Sequence, residues 1–105
     1  ERADRLGKRL RERLEGWKDR FPAVGDVRGL GLLQGVELVE DRETRAPATE
    51  LAGRIVAGAL RQGVLLLSEG PHANILAFVP PLSITEEQLE AALEVLEGGL
   101  EEAEA

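Results

Sequence analysis

The sequence predicts an α+β fold: a small mixed or antiparallel sheet of about four strands with helices packed on it, in the order α-β-β-α-β-β-α. Three observations carry this. Apolar residues recur at spacings of three and four at both ends of the chain and once in the middle, which is the helical period. Between those stretches lie short apolar runs, punctuated by glycine and grouped in hairpin-like pairs. The chain has 105 residues, enough for one modest core, so residues 1–105 read as a single domain.

Residues 1–20 read as an amphipathic helix whose stripe is Ala3, Leu6, Leu10, Leu14, Trp17 and Phe21, stopped by Pro22. Val24, Val27 and Leu30 belong to a first strand, and Leu32 to Val39 to a second. Residues 41–47 read as a polar loop ending in Pro47. A second helix is predicted from Ala48 to Gln62, burying Leu51, Ala52, Ile55, Val56, Ala59 and Leu60, with Gly63 as the left-handed residue that ends it. Val64 to Leu67 reads as a buried strand because it is apolar throughout. After a loop from Ser68 to Asn74, Ile75 to Val79 reads as another strand, closed by Pro80-Pro81. The last helix opens with a capping box, Thr85 and Gln88, and its stripe is Leu89, Ala92, Leu93, Leu96 and Leu100. Gly98-Gly99 predicts fraying of its final turns.

Charge is unevenly distributed. Residues 1–20 hold eight basic and five acidic side chains, whereas residues 85–105 hold eight glutamates and no basic residue. Two helices of opposite charge can lie side by side; the preferred reading is that both charged faces are solvated, since exposed ion pairs stabilise little. The net charge of −7 argues against nucleic acid as a partner. No apolar run approaches the roughly 18 residues of a membrane span, and the chain is expected to be cytoplasmic. The absence of cysteine excludes thiol catalysis, disulfides and zinc thiolate sites, and a single histidine, His72, argues against a His-based metal centre or triad. The absence of methionine reads as the mark of a piece of a longer protein.

No set of neighbouring residues completes an active site. Gly29-Leu30-Gly31 begins a phosphate-loop pattern, but Gln34 takes the third glycine position and no helix follows, so the glycines read as a bend between strands. His72 reads as an exposed or capping residue, Glu86 and Glu87 as dipole partners in a first helical turn, and Ser68 has no base partner. The two lysines, Lys8 and Lys18, fall among charges on the first helix, where nothing desolvates them. Catalytic, cofactor-binding and metal-ligating residues are therefore expected to be absent from this segment.

Three stretches in register carry a resemblance. Val27-Arg28-Gly29-Leu30-Gly31-Leu32-Leu33-Gln34-Gly35-Val36-Glu37-Leu38, Gly63-Val64-Leu65-Leu66-Leu67 and Asn74-Ile75-Leu76-Ala77-Phe78-Val79-Pro80-Pro81-Leu82-Ser83-Ile84-Thr85-Glu86-Glu87 together resemble the C-terminal small domain of class III pyridoxal-phosphate aminotransferases. That group includes the acetylornithine, ornithine and 4-aminobutyrate enzymes. The resemblance implies a parent homodimer whose large domain, in the same chain, carries the Schiff-base lysine and binds pyridoxal phosphate. This segment then forms one wall of the substrate cleft and is catalytically incomplete alone. It also implies that Ala77 occupies a substrate-binding position, where many relatives hold the substrate carboxylate with arginine. Two other readings stay open on the residues alone: a free-standing small-molecule-binding or regulatory α+β module, and an interaction domain using its first helix as a dimer surface.

Overall fold

The computed structural model describes residues 2–80 and 83–104, with side chains for all of these but Arg2, Ala3, Leu30 and Glu104. The predicted burial of the Ala3 side chain and the predicted role of Pro81 lie outside what is described. The first helix, α1 (Arg2–Arg20), is followed by strands β1 (Val24–Leu30) and β2 (Leu33–Asp41) and a two-residue strand β3 (Ala46–Pro47). Then come helix α2 (Thr49–Arg61), strands β4 (Leu67–Glu69) and β5 (Ile75–Phe78), and helix α3 (Glu86–Glu104). All pairings are antiparallel, in the order β1-β2-β5-β4, with β3 beside the far end of β2. The predicted element order holds except for β3, whose Ala46 and Pro47 pair with Asp41 and Val39 in what reads as loop from composition.

The helices share one face of the sheet. Leu6, Leu10, Leu14 and Trp17 of α1, Ala52, Ile55 and Ala59 of α2, and Leu89, Leu93, Leu96 and Leu100 of α3 are buried together with Val24, Val27, Val36, Leu38, Leu76 and Phe78 of the sheet. These are the inward positions of the alternating strands, and the helical stripes follow the predicted spacing except at Leu60 of α2, which is 61% exposed at the solvent edge of its helix.

Local signals explain the element boundaries. The α1 helix ends before Pro22, and the Arg42 guanidinium donates to carbonyls of Lys18, Phe21, Pro22 and Val24, capping the helix where its dipole is negative. Helix α2 ends in a Schellman pair, Gly63 N–H to Leu60 O at 3.0 Å and Val64 N–H to Ala59 O at 2.8 Å, with Gly63 at φ +86°. The capping box of α3 is formed: Thr85 N–H donates to Gln88 Oε1 at 2.9 Å, and Gln88 N–H to Thr85 Oγ1 at 3.1 Å. Buried Asn74 joins β2 to the loop before β5, donating from Nδ2 to Leu38 O at 2.9 Å and accepting from Leu38 N–H at 2.8 Å through its carbonyl.

Three expectations are corrected. First, Val64 to Leu67 is not a buried strand. Leu66 is buried and Val64 packs partly buried against the core, but Leu65 is 75% exposed, and β4 starts at Leu67 and runs through Ser68 and Glu69. An apolar run does not distinguish a strand buried on both faces from one whose outer face is left open. Second, α3 continues through Gly98-Gly99 to Glu104. A Cβ on Gly99 would lie 3.2 Å from Ile55 Cγ1, so the glycine lets α2 and α3 approach closely. Third, the charged helix faces are paired with one another. Arg9 bonds Glu86 and reaches Glu90 at 3.5 Å; Arg13 bonds Glu90 at 2.6 Å and Glu97 at 2.9 Å; Arg20 bonds Glu101 at 3.0 Å. Trp17, 1% exposed, donates its indole N–H to Glu97 at 2.7 Å.

Burial pushes the Glu97 carboxyl up, but hydrogen bonds from Arg13 and Trp17 outweigh it, and the net shift is downward. The Arg13 hydrogen bond holds Glu90 below its ordinary value too. Both groups therefore bind fewer protons in the folded chain than in the unfolded one. The stabilisation is complete above the ordinary value of 4.5 and is lost as pH falls through the lowered folded values. Replacing Glu97 with Leu leaves Trp17 Nε1 and Arg13 short of an acceptor. We expect a loss of about 1–3 kcal/mol in urea unfolding at neutral pH. Glu97→Gln, which keeps an acceptor, should lose less. The deficit of Glu97→Leu relative to the unsubstituted chain should shrink below pH 4.5. A deficit constant from pH 7 to pH 3 would contradict this account.

The β1–β2 hairpin gives a second expectation. Gly29 sits at φ +141°, and a Cβ there would lie 2.0 Å from the Leu33 carbonyl oxygen. Gly31, at φ +56°, opens the two-residue turn between paired Leu30 and Leu33. Gly29→Ala should cost about 2–4 kcal/mol, measured as a fall in the urea midpoint, because backbone must move to accommodate it.

Candidate functional site

Among the described residues no element covers the face of the sheet opposite the helices, and the strand register defines what stands on it. Paired residues of antiparallel strands point the same way, so pairs chained across the sheet form rows. One row is Arg28, Gly35, Ala77 and Leu67, from β1, β2, β5 and β4. The next is Asp26, Glu37, Ile75 and Glu69. Leu33 shares this alternation on β2 and is 59% exposed; Val79 continues it just past β5 and is 56% exposed. With Leu67 on the edge strand β4 and Leu65 just before it, these make four large exposed apolar side chains.

Ala77 itself is sheltered between neighbouring strands, 9% exposed. It lies between Gly35 and Leu67, and no cation stands beside it in its row until Arg28, two strands away. Gly35 carries no side chain, and the Ile75 side chain leans toward it: a Cβ there would meet Ile75 Cγ2 at 3.3 Å. The floor in front of Ala77 is thus shallow, apolar and uncharged.

The β1 end of the same face is charged. Arg28 lies 3.6 Å from Asp26 and 3.5 Å from Glu37, Arg45 bonds Glu37, and Lys18 lies 3.8 Å from Asp26. Arg45 holds φ +61° at the end of a turn in which Asp41 Oδ1 accepts from Glu43 N–H at 2.7 Å and Thr44 N–H at 3.3 Å. Three cations therefore share two carboxylates. Strand register brings Arg28 beside Glu37, the Asp41 turn brings Arg45 to the same carboxylate, and composition gave no sign of either.

The other candidates from sequence are scattered. His72 is exposed, and its carbonyl accepts from Thr49 Oγ1 at 2.6 Å. Ser68 is exposed on β4, Glu86 pairs with Arg9, and Glu87 is exposed. Lys8 is exposed, and Lys18 lies 3.7 Å from Glu15 besides Asp26. The groups whose ionisation the fold perturbs, Arg13, Glu15, Glu90 and Glu97, belong to the helical layer. Among the described residues no three His, Asp or Glu converge as metal ligands, and no helix is long and apolar enough to cross a membrane.

Comparison with known proteins agrees with this architecture. The chain is 40% identical over 100 residues to a probable 4-aminobutyrate aminotransferase of Bacillus subtilis, covering 95% of this chain and 23% of the relative. It is 38% identical over 103 residues to the 4-aminobutyrate aminotransferase of Escherichia coli, covering 98% of this chain and 24% of the relative. Among solved structures, a phospholyase from Arthrobacter in complex with phosphoethanolamine superposes with a TM-score of 0.87 at 40% identity, over 93% of this chain and 23% of that one. The chain thus spans about a quarter of the length of the relatives it matches. The family model for class-III aminotransferases matches residues 1–100, nearly the whole length, and the chain belongs to that family.

Proposed function

We propose that this chain is the C-terminal small domain of a pyridoxal-phosphate-dependent aminotransferase and that its open sheet face forms one wall of the substrate cleft. The observation that carries this is the one-sided sheet. Three helices cover one face, while Leu33, Leu67 and Val79 stand exposed on the other around Ala77. Relatives about four times as long supply the rest of the cleft in this reading. Pyridoxal phosphate, when bound to the parent, supplies the electron sink for amino transfer. The residues of this chain bind and orient substrate and exclude water from one side. The parent is read as a cytoplasmic homodimer with active sites at the subunit boundary, and its large domain carries the cofactor and its lysine.

Two measurements test this. The 105-residue chain mixed with pyridoxal phosphate and freed of excess should show no stoichiometric cofactor absorbance. A stable band that disappears on replacing Lys8 or Lys18 would make the chain a cofactor-binding module in its own right. In the full-length parent, Ala77→Arg introduces a bidentate donor at the proposed cleft wall. It should raise the kcat/KM ratio of an α-amino acid over the matched amine lacking the carboxylate by about 30- to 1,000-fold. An unchanged ratio would mean that position 77 does not face the substrate carboxylate.

A further inference from the structure

We infer that Arg28 holds the anionic end of the substrate, across the trough formed by Gly35 and Ala77. The inference rests on the cleft-wall reading of the sheet face and adds to it the residue that takes the charge. Arg28, Gly35 and Ala77 are consecutive members of one cross-strand row. Adjacent strands are spaced by about 4.8 Å, so Arg28 starts about 10 Å from Ala77. Between them Gly35 raises no side chain. The Arg28 side chain leans from β1 over β2, since it lies 3.5 Å from Glu37 on that strand.

Its present partners hold it loosely. Both ion pairs are long, at 3.5 and 3.6 Å, and the side chain is 55% exposed, so little is lost when a ligand anion takes over. Glu37 keeps Arg45, and Asp26 keeps Lys18, when Arg28 turns to a ligand. A guanidinium freed in this way offers two parallel donors to a carboxylate or a phosphate. The trough floor is apolar, with Ile75 and Leu33 beside it. A cation at one end of an apolar floor fits an amine whose far end is an anion, with its methylene chain over Gly35 and Ala77. A carboxylate and a phosphate present the same chemistry to Arg28.

The test uses the full-length parent and amines of matched chain length ending in a carboxylate, a phosphate or a methyl group. Arg28→Leu should lower kcat/KM for the carboxylate amine, the phosphate amine or both, relative to the methyl-ended amine, by about 10- to 100-fold. The loss should fall mainly on KM, and Arg28→Lys should restore part of it. Calorimetry should show the dissociation constant of the corresponding amine-free carboxylate or phosphate rising by a similar factor. An equal fall on all three amines would mark Arg28 as structural and overturn the inference; so would unchanged ratios. If the unsubstituted parent transfers no amino group from any of the three, the aminotransferase reading fails and this inference fails with it.

Discussion

The helical layer depends on one carboxylate. Glu97 accepts from Arg13 Nε at 2.9 Å, Trp17 Nε1 at 2.7 Å and Arg20 at 3.4 Å, and its side chain is only 15% exposed. Each partner needs the others. A buried indole N–H without an acceptor is costly, and a largely desolvated carboxylate is costly without cations. The node also sets how α3 lies on α1. Arg9, Arg13 and Arg20 are spaced by four and seven residues, and they meet glutamates at 86, 90, 97 and 101 in the same sense along the chain. A slip of one turn in one direction would bring Leu93 opposite the Trp17 N–H, where there is no acceptor. Pairing thus selects one register from several that the leucine stripes alone would allow. It ties the first helix to the last across nearly the whole sequence.

Much of this architecture was legible in the sequence. The helical stripes, the capping box at Thr85, the end of α2 at Gly63 and the bend at Gly29-Gly31 are local features, decided by residues within a few positions of one another. What was misread depends on distant partners. The charged faces of α1 and α3 read as solvated because each looks so in isolation, and only their juxtaposition makes them a seam. Gly98-Gly99 reads as a weak point until Ile55 is known to fill the space beside it. Val64 to Leu67 reads as buried because continuous apolar character reflects what a face will meet, whether or not that partner is within the same chain.

The same distinction governs the candidate site. Ala77 could be singled out from sequence only through resemblance, because an alanine in a strand signals nothing by itself. Its surroundings needed the register: Arg28 is far from it in sequence and becomes its row-mate only through two pairings, Arg28 with Gly35 and Gly35 with Ala77. Arg45 was invisible for a further reason. It is delivered by a turn built on Asp41, in a stretch whose composition says only that it is polar.

The site and the core are two faces of one strand. On β2, Gln34, Val36 and Leu38 point to the helices while Leu33, Gly35 and Glu37 point to the open face. A register shift of one residue would exchange these sets, so packing of the core fixes what the open face presents. Gln34 makes the exchange harder. It is buried, its Nε2 donates to Gly31 O at 2.7 Å, and its Oε1 has no hydrogen-bond partner among the described residues. Carrying such an acceptor inward costs about 1–3 kcal/mol, a poor choice for a residue that only fills space. Its amide meets the Gly31 carbonyl only when β2 enters the sheet directly from the hairpin turn. The polar core residue therefore locks the hairpin, the hairpin sets β2 against β1, and that register puts Arg28, Gly35 and Ala77 in line.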